Sequence, residues 1–433
     1  MKNIANIPDN GKQRVVIAGG GFAGLKLARA LKKSRFQVVL LDKNNYHQFQ
    51  PLFYQVATAG LEPSAISFPL RKVFQEQPDI HFRVATLDRV DTEKQVIRTD
   101  IGSLHYDYLV LALGATTNYF GNDNIRQNAV PMKSLTEAID LRNTILSNFE
   151  LALNETDADT RHSLLNIVIV GGGPTGVELA GALAEMKKYI LPKDYPELDF
   201  NQMKISLLEA SDKVLNGYSE ASSRKAKAYL EKLDVEVRLK AMVKDYDGSQ
   251  VTLEGADPLE THTLIWAAGV KANSVPGMPE EAAGRGGRLA VNEFTQVKGF
   301  DNIFAIGDMA LMTTDKKYPN GHPQVAQVAM QQAALLGKNL NSEKKKAFRY
   351  VDKGSLATVG RNLAVADLPG LRFQGFFAWV LWLFVHLMAI LGVKNRLFVF
   401  INWAWSYFTY DQSLRLLINP KRKSSAQLVE EEV

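Results

Sequence analysis

The sequence predicts an α/β fold made of two doubly wound units of parallel strands, the second inserted in the first, followed by a helical C-terminal region. Three observations predict it. Two glycine-rich segments each stand between an apolar run and a helix-like stretch. The next apolar run after each of them ends in an acidic residue, and the last sixty residues are dominated by aromatic and aliphatic side chains.

The glycine segments are the strongest local signal. The first is Gly19-Gly20-Gly21-Phe22-Ala23-Gly24, after the apolar run 14–18, and the second is Gly171-Gly172-Gly173-Pro174-Thr175-Gly176, after 166–170. In such a strand–loop–helix unit the first glycine permits the turn, the second lets backbone approach a pyrophosphate, and the third lets helix pack on strand. Since a helix N-terminus attracts phosphate, two such motifs predict two Rossmann-like dinucleotide-binding domains. The simplest reason for one protein to bind two dinucleotides is electron transfer from a nicotinamide to a flavin.

An acid follows each glycine motif at the end of the next predicted strand. The run 36–42 ends in Asp42, and the run 203–209 ends in Glu209 after a longer gap, in which 189–200 is expected to be an inserted loop. A carboxylate at this place can accept hydrogen bonds from a ribose diol, although a solvated strand end is the alternative. Because Glu209 would repel a 2′-phosphate, NADH is favoured over NADPH; Lys213 nearby opposes that preference.

The order of the motifs predicts discontinuous domains. The first domain is expected to span 14–125 and 286–365, with a buried strand over 106–115 and a last strand over 302–308 that ends in Gly307-Asp308. The second is expected to span 165–285 and to close with the strand 263–269. The polar stretch 154–161 is expected to be a linker loop, and 366–433 forms the C-terminal region.

Composition narrows the chemistry. The chain has 433 residues, a net charge of +5 and no cysteine. The length suits two or three domains, and the positive charge suits anionic cofactors or an anionic membrane surface, with no nucleic-acid motif beside it. The absence of cysteine excludes disulfides, thiolate metal sites and a redox-active dithiol, so electrons must leave the flavin directly for an acceptor. The seven histidines show no metal-ligand spacing, and the N-terminus lacks the apolar core of a signal peptide, so we expect no metal and a cytoplasmic fold.

The C-terminal region predicts attachment to a membrane surface. The run 376–393 is nearly all apolar, but it is interrupted by His386 and followed by Lys394 and Arg396. A spanning helix needs about 20 apolar residues, so we expect the run to lie in the interface; a buried core or dimer helix and a true span are the alternatives. The Trp- and Tyr-rich segment 397–410 is typical of interface anchors, and further cations that could meet anionic headgroups are Arg415, Lys421, Arg422 and Lys423.

These motifs together resemble one family of flavoproteins. The two fingerprints, the Ala112-Leu113-Gly114-Ala115 strand end and Phe304-Ala305-Ile306-Gly307-Asp308 are similar to those of the two-dinucleotide-binding flavoprotein superfamily. Within it the chain resembles the type II NADH dehydrogenases, the single-subunit NADH:quinone oxidoreductases. The segments that carry this closer resemblance are 45–57, 171–178, 326–332, 354–360 and 403–411. Gln412, where a basic residue is commoner in the family, is a small departure.

The resemblance implies an activity and its setting. It implies non-covalent FAD in the first domain, NADH in the second, and a membrane quinone as acceptor, with hydride transfer to FAD followed by quinone reduction and no proton pumping. It also implies monotopic attachment to the cytoplasmic face of the cell inner membrane. A soluble NADH:ferredoxin-type reductase and a non-catalytic NADH-sensing flavoprotein remain as rival functions. The apolar C-terminal surface makes a homodimer plausible.

The motifs and the resemblance together give the expected site residues. Those expected for FAD are Gly19, Gly21, Phe22, Ala23, Gly24, Asp42, Lys43, Ala115, Asp308, Ala326 and Gln327. Those expected for NADH are Gly171, Gly173, Gly176, Glu178, Glu209, Ala268 and Gly269. Those expected to act in catalysis are Glu178, Gln327, Gln331 and Lys394.

Four of these residues have ordinary structural alternatives. Asp308 is expected to accept from the ribityl chain of FAD, or else to be a helix N-cap. Gln327 and Gln331, spaced i, i+4, share a helix face where amides can bind a quinone carbonyl or simply form polar surface. Glu178 is expected in the first turn of its helix, where the dipole stabilises a carboxylate; the resemblance instead implies that it holds or relays a proton for quinone reduction.

Overall fold

A computed structural model describes residues 2–410 and 414–418. By internal contacts the described residues divide into two compact units. The first combines 2–48, Ser67–Thr116 and Val270–Lys353, and the second combines Phe49–Ile66, Thr117–Gly269, 354–410 and 414–418.

The α-helices of the described residues are α1 (Phe22–Ala30), α2 (Phe53–Ala57), α3 (Leu70–Val73), α4 (Asp123–Asn128), α5 (Leu135–Asn154), α6 (Ala158–Leu165), α7 (Pro174–Tyr189), α8 (Leu191–Asp194), α9 (Glu220–Lys232), α10 (Ala326–Leu340), α11 (Phe376–Ala389) and α12 (Val393–Thr409). Short 3₁₀ turns cover Gln50–Leu52, Pro63–Ile66, Glu280–Ala282, Arg285–Gly287 and Gly307–Met309.

The strands of the described residues are β1 (Arg14–Ala18), β2 (Gln37–Asp42), β3 (Tyr46–Gln48), β4 (Ser67–Pro69), β5 (Ile80–Val84), β6 (Leu87–Asp91), β7 (Val96–Thr99), β8 (Gly102–His105), β9 (Tyr108–Leu111), β10 (Ala115–Thr117), β11 (Val130–Pro131), β12 (Ile167–Val170), β13 (Ile205–Glu209), β14 (Val235–Leu239), β15 (Val243–Tyr246), β16 (Gln250–Leu253), β17 (Ala256–Glu260), β18 (Thr263–Trp266), β19 (Val270–Ala272), β20 (Leu289–Val291), β21 (Ile303–Ala305), β22 (Ala310–Met312), β23 (Ser355–Gly360), β24 (Leu363–Leu368) and β25 (Leu371–Gln374).

A five-stranded parallel sheet forms the centre of the first unit. Its order is β21-β9-β1-β2-β5, and its registers are set by pairs such as Val15 with Val38 on one side and with Tyr108 on the other. The strands are apolar on both faces, as expected where helices cover a parallel sheet. Their side chains share one core with the methionines Met309 and Met312 of the Gly-Asp turn and the strand that follows it.

A second five-stranded parallel sheet forms the centre of the second unit. Its order is β11-β18-β12-β13-β14, with Ile167 paired to Ile205 and to Thr263. In both units a three-stranded antiparallel meander precedes the strand that returns to the sheet: β6-β7-β8 before β9, and β15-β16-β17 before β18. The repeated order of elements confirms the predicted α/β fold with two Rossmann-like sheets.

The fingerprint glycines are required by geometry. Gly19 has φ +106°, and a Cβ there would lie 2.2 Å from the Ala112 carbonyl oxygen; a Cβ on Gly24 would lie 1.8 Å from the Gly19 oxygen. Gly171 and Gly176 repeat this arrangement, with 2.6 Å to the Ala267 oxygen and 2.0 Å to the Gly171 oxygen. Backbone atoms cannot yield as a side-chain tip can, so larger residues are excluded at these positions.

The structure corrects several expectations about local structure. The expected loop 189–200 contains the four residues of α8, Leu191–Asp194. The expected linker 154–161 already contains the first residues of α6, which Asp157 caps through the Thr160 amide. The polar composition of 154–161 favoured a loop because N-cap residues such as Asp157 are themselves polar. By internal contacts, residues 49–66, 117–125 and 354–365 group with the second unit, whereas the sequence assigned them to the first domain. Residues 270–285 group with the first unit, whereas the sequence assigned them to the second domain.

The C-terminal region forms two helices after the antiparallel sheet β23-β24-β25. The expected apolar run 376–393 is broken: α11 ends at Ala389, and Gly392 with φ +83° precedes α12. The 14 residues of α11 rise about 21 Å at ~1.5 Å each. No helix within residues 2–410 and 414–418 combines the length and hydropathy of a membrane span. Lys421, Arg422, Lys423 and Gln412 lie outside the described residues.

Candidate functional site

Asp42 closes the first glycine loop. Its Oδ2 accepts the Gly20 amide at 2.6 Å and its Oδ1 accepts the Asn44 amide at 2.7 Å. Burial raises the pKa of the Asp42 carboxyl, and these two amide bonds act against that rise. The carboxylate is therefore fixed at the end of β2 beside the loop and is not a solvated strand end.

Glu209 closes the second glycine loop in the same way. Its Oε2 accepts the Gly172 amide at 2.6 Å, and its Oε1 accepts the Ser211 amide at 2.8 Å and the Ser211 hydroxyl at 2.7 Å. Lys213, the residue that opposed the preference for NADH, directs its ammonium to Glu220 at 3.4 Å. An acid fixed to the second glycine is thus common to both units.

Both fingerprint helices begin at a glycine. Gly21 is the N-cap of α1 and Gly173 is the N-cap of α7, so neither helix has an N-cap side chain to accept its first amides. A Cβ added to either glycine would have no heavy atom within 4 Å among the described residues. Uncapped helix N-termini beside open space suit an anionic group such as a pyrophosphate.

His47 contacts the first glycine loop, a role that was not predicted from the sequence. Its Nδ1 lies 3.1 Å from the Gly20 carbonyl oxygen, and its ring meets the Phe22 ring edge-on at 5.2 Å between centroids. Burial lowers the pKa of the His47 imidazole, so the ring is neutral at neutral pH and donates through Nδ1 to the carbonyl. The position 27 residues downstream of the loop gave no local signal.

The Gly307-Asp308 turn lies against both helices of the first unit that carry predicted site residues. A Cβ on Gly307 would come within 3.3 Å of the Ala23 Cβ on α1 and 3.2 Å of the Ala329 Cβ on α10. Asp308 sits in a 3₁₀ turn whose N-cap is Ile306, so the alternative of a helix N-cap is wrong. Gln332, also missed from sequence, is fully buried and accepts the Gly307 amide at 2.7 Å, which fixes the turn that presents Asp308.

Gln327 and Gln331 share one face of α10, as predicted, but both side chains form hydrogen bonds with the backbone of the segment 351–353. The Gln331 amide donates to the Val351 oxygen at 2.8 Å and accepts the Val351 amide at 3.1 Å, while the Gln327 oxygen accepts the Lys353 amide at 3.1 Å. Gln331 is therefore a structural clamp on the segment 351–353. Because an amide oxygen and a quinone carbonyl are both acceptors, only the NH₂ group of Gln327 could bind a quinone carbonyl.

Glu178 lies deeper in α7 than expected. The helix begins at Pro174, so Glu178 is its fifth residue and lies beyond the first turn, where the dipole explanation loses force. Its Oε1 accepts the Trp382 indole N–H at 3.1 Å and the Thr358 amide at 3.4 Å. Gly181 makes this possible, because a Cβ there would lie 1.5 Å from the Val359 oxygen and would push β23 away from α7.

Burial dominates the electrostatics of Glu178. It raises the pKa of the carboxyl to about 8, against the weaker opposing effect of the Thr358 and Trp382 hydrogen bonds. Burial also raises the pKa of the Tyr54 and Tyr218 hydroxyls, and the charge of Glu178 adds to both rises. Glu178 thus holds a proton at neutral pH in an enclosed position, which is typical of a group that exchanges protons with a reacting molecule.

The remaining predicted residues occupy more ordinary positions. Ala115 begins β10, Ala326 begins α10, and Ala268 and Gly269 follow β18 at the strand end that faces Gly171. Lys43 is exposed next to Asp42. Lys394 is exposed in the first turn of α12 with its ammonium 5.4 Å from the centre of the Phe398 ring. Within the described part of the chain, no three His, Asp or Glu side chains gather in a geometry that could hold a metal ion.

Two glycine loops on parallel sheets, each with an acidic side chain bonded to its second glycine, define a class of nucleotide-dependent oxidoreductases. Residues 13–333 match the pyridine nucleotide-disulphide oxidoreductase family, and residues 353–409 match the NDH2 C-terminal domain. The chain is 35% identical over 417 residues to the type II NADH:quinone oxidoreductase Ndh of Mycobacterium tuberculosis, covering 92% of this chain and 89% of the relative. It is 29% identical to the type II NADH:quinone oxidoreductase of Staphylococcus aureus, covering 84% and 92%.

Solved structures agree on the fold. NDH2 from Plasmodium falciparum in complex with NADH superposes with a TM-score of 0.86 at 22% identity, covering 94% of this chain and 100% of that chain. The sulfide:quinone oxidoreductase of Aquifex aeolicus gives 0.68 at 17% identity, covering 97% and 96%. The chain belongs to the type II NADH:quinone oxidoreductases, within the pyridine nucleotide-disulphide oxidoreductase family.

Proposed function

We propose that this protein is a membrane-associated FAD enzyme that transfers two electrons from NADH to a membrane quinone without pumping protons. The observation that carries the proposal is the pair of glycine loops, each closed by its own acid, in a chain without cysteine. Two such loops suit two dinucleotides. A bound flavin would supply the means to accept a hydride and release electrons to an acceptor other than a disulfide.

The residues of the first unit suit FAD. The uncapped start of α1 at Gly21, the fixed Asp42 carboxylate and the Gly307-Asp308 turn belong to the same unit, and the turn packs against both α1 and α10. We infer that α1 receives the pyrophosphate, that Asp42 accepts from the adenosine ribose, and that Asp308 accepts from the ribityl chain. We assign four further residues to the FAD site: Lys43, Ala115, Ala326 and Gln327.

The residues of the second unit suit NADH. Glu209 lies beside the loop at the end of β13, where a ribose diol can be bound and a 2′-phosphate would be repelled. Lys213, the cation that opposed this preference in the sequence, is paired with Glu220 at 3.4 Å. Backbone atoms can approach the NADH closely at positions with small side chains, which are Gly171, Gly173, Gly176, Ala268 and Gly269.

Glu178 suits the proton demand of the acceptor. Reduction of a quinone to a quinol consumes two electrons and two protons, so an acid that is protonated at neutral pH has a chemical use. With a pKa of about 8, Glu178 meets that condition. Gln327, through its NH₂ group, is the candidate donor to a quinone carbonyl, and Lys394 stays a candidate for the entrance to the quinone site. Gln331 is left out, because both halves of its amide bond to Val351.

The C-terminal helices suit attachment to one face of a bilayer. Large apolar side chains of α11 and α12 point outward, among them Phe377 (76% exposed) and Phe408 (81% exposed). An apolar face of this extent marks an interaction surface, and helices with exposed aromatic residues commonly lie in the headgroup region. We propose peripheral attachment on the cytoplasmic side of the inner membrane. Arg415, expected to meet headgroups, instead forms an ion pair with Asp194.

Separate measurement of the two half-reactions tests the proposal. The purified protein should show a flavin spectrum, bleach with NADH far faster than with NADPH, and recover its colour when a quinone analogue is added. A protein that lacks flavin, or whose reduced flavin is reoxidised by ferredoxin but not by quinones, would contradict the proposal. Membrane fractions should oxidise NADH in step with the amount of this protein.

A further inference from the structure

Beneath the C-terminal helices the second unit contains a polar cluster, formed by Glu178, Tyr54, Gln55, Trp382 and Trp403. Glu178, Tyr54 and Trp382 are buried, whereas Gln55 and Trp403 are half-buried. Trp382 of α11 donates to Glu178, and Trp403 of α12 donates through its indole N–H to the Gln55 oxygen at 2.7 Å. The Gln55 amide in turn donates to the Tyr54 hydroxyl at 2.8 Å. Each C-terminal helix therefore contributes one indole N–H to the same polar cluster.

Helix α11 has two faces of opposite character. Phe377, Phe384 and Met388 are exposed on one face, whereas Ala378 and Trp382 are buried on the other, Trp382 to 1% exposure. A buried indole N–H requires an acceptor, and the acceptor here is the Glu178 carboxylate, 204 positions away in sequence. The helix that carries the apolar surface is thus bonded directly to the buried acid.

The orientation of the Trp382 indole is fixed from three sides. His386, one turn later in α11, stacks on it at 4.0 Å between ring centres and bonds through Nδ1 to the Trp382 oxygen at 2.8 Å. Tyr54 meets the indole edge-on at 6.3 Å, and Trp403 lies tilted at 5.9 Å. A donor held by such packing keeps its hydrogen-bond partner in one place.

We propose that Trp382 is a positioning residue for the proton-holding group of the site: its indole N–H holds the Glu178 carboxyl group in place and thereby couples proton supply to the position of α11. This inference rests on the proposed function, which gives Glu178 its proton to deliver. Trp382 does not itself exchange protons, because an indole N–H does not ionise in the working range of pH.

The tyrosine and histidine side chains around Glu178 do not change charge near neutral pH, so they do not obscure its titration. Tyr54 from α2 and Tyr218 from the segment before α9 both have pKa values raised by burial, so they stay neutral. Burial lowers the pKa of His386 to about 4, so the ring stacked on Trp382 carries no charge at neutral pH. Glu185 lies two turns later in α7; burial raises the pKa of its carboxyl, and the Arg361 amide and guanidinium oppose that rise.

The experiment removes the indole N–H of Trp382. Trp382→Phe is the simple variant, but it also replaces the bicyclic indole by a smaller ring. Incorporation of β-(3-benzothienyl)alanine at position 382 replaces the N–H by sulfur and keeps a bicyclic ring of the same size, which guards against a folding defect. Trp379→Phe is the matched control, since Trp379 of the same helix packs on Tyr407 at 5.5 Å. Glu185→Gln controls for the second buried acid. For each protein the rate of quinone-dependent flavin reoxidation is measured against pH.

The wild-type rate should fall along an alkaline limb as Glu178 loses its proton. Loss of a hydrogen bond that favours the carboxylate raises its pKa, so both changes at position 382 should move this limb upward by about one pH unit, the size expected for one hydrogen bond to a charged group. Glu178→Gln should abolish the limb, while Trp379→Phe and Glu185→Gln should leave it in place.

An unmoved limb in both position-382 proteins would overturn the inference, as would an equal shift in Trp379→Phe. Failure of the proposed function is distinguishable from this result, because wild-type protein would then show no quinone-dependent reoxidation at any pH.

Discussion

At the scale of single residues, Asp42 and Glu209 have the same relation to their loops. Each carboxylate accepts the amide of the second fingerprint glycine at 2.6 Å, so each acid both shapes a loop and stands where a ribose can be bound. A carboxylate at the ribose position repels a 2′-phosphate, so Glu209 should determine which coenzyme is accepted.

Coenzyme preference should follow from Glu209. The double variant Glu209→Gln/Ala210→Arg keeps an acceptor for the Gly172 amide, removes the negative charge and adds a phosphate-binding guanidinium at an exposed position. We expect the NADPH-to-NADH ratio of kcat/KM to rise at least about tenfold, the effect of one charge-assisted hydrogen bond. Ala210→Arg alone is the control and should shift the ratio less. A wild-type enzyme that uses both coenzymes equally would refute the role of Glu209.

Glu178 should make stability depend on pH. Its pKa is about 8 in the fold against 4.5 for an ordinary glutamate, so between these values the folded chain keeps a proton that the unfolded chain releases. The free energy of unfolding contributed by this group therefore falls as pH rises from about 4.5 to 8 and is constant below that window. The Tm of Glu178→Gln minus that of wild type should grow from pH 5 to pH 8. Glu220→Gln, exposed in α9, should show no such trend; a flat difference for Glu178→Gln would show that the carboxyl is ionised in the fold.

At the scale of elements, local patterns predicted the strands and fingerprint helices, because buried parallel strands are continuous apolar runs and glycine loops have fixed chemistry. The partners of site residues were not predictable, since Gln332 with Gly307 and Trp382 with Glu178 are tertiary pairs far apart in sequence. The i, i+4 spacing of Gln327 and Gln331 correctly placed them on one face of α10, but it carried no information about the segment 351–353 that this face binds.

Two substitutions on α10 should have different consequences. Gln331→Ala removes both hydrogen bonds to Val351 and should speed hydrogen exchange of the Val351 amide. Gln327→Ala removes an acceptor for Lys353 and the proposed donor to quinone, and it should slow flavin reoxidation by roughly tenfold or less, the value of one neutral hydrogen bond, with reduction by NADH unchanged. If Gln327→Ala slowed reduction by NADH and spared reoxidation, the assignment of Gln327 to the quinone would be abandoned.

The outward faces of α11 and α12 should determine membrane binding. Phe384 (62% exposed) and Phe408 (81% exposed) lie on the two helices. Phe384→Glu and Phe408→Glu should each weaken partitioning onto anionic phospholipid vesicles by about tenfold or more, since burial of a phenylalanine side chain is worth ~1.5–3 kcal/mol. Phe120→Glu changes an exposed phenylalanine (69%) outside these helices and should not affect vesicle flotation. If Phe384→Glu and Phe408→Glu floated with vesicles as well as Phe120→Glu and wild type, other residues would attach the protein to the membrane.

At the scale of the whole molecule, the chain repeats one plan twice. Each unit has a fingerprint strand, a glycine-capped helix, a strand ending in an acid, an antiparallel meander and a returning strand. This duplication is visible in the sequence because both copies keep the glycines that backbone contacts demand. The domain boundaries were harder to predict, since the grouping of 49–66, 117–125 and 354–365 with the second unit and of 270–285 with the first depends on contacts and not on composition.

The most direct test of the account uses one substitution in each copy of the plan. Gly24→Ala and Gly176→Ala would each drive a Cβ against backbone, 1.8 Å and 2.0 Å from the oxygens of Gly19 and Gly171. Each purified protein is assayed by stopped-flow absorbance for bound flavin, for flavin reduction by NADH, and for quinone reoxidation after chemical reduction.

If the first loop binds FAD and the second binds NADH, Gly24→Ala should be purified with little flavin. Gly176→Ala should keep its flavin, be reduced by NADH at least about tenfold more slowly than wild type, and be reoxidised by quinone at the wild-type rate. A Gly176→Ala protein that lost its flavin, or that was reduced by NADH as fast as wild type, would contradict the assignment of the two loops to two different nucleotides.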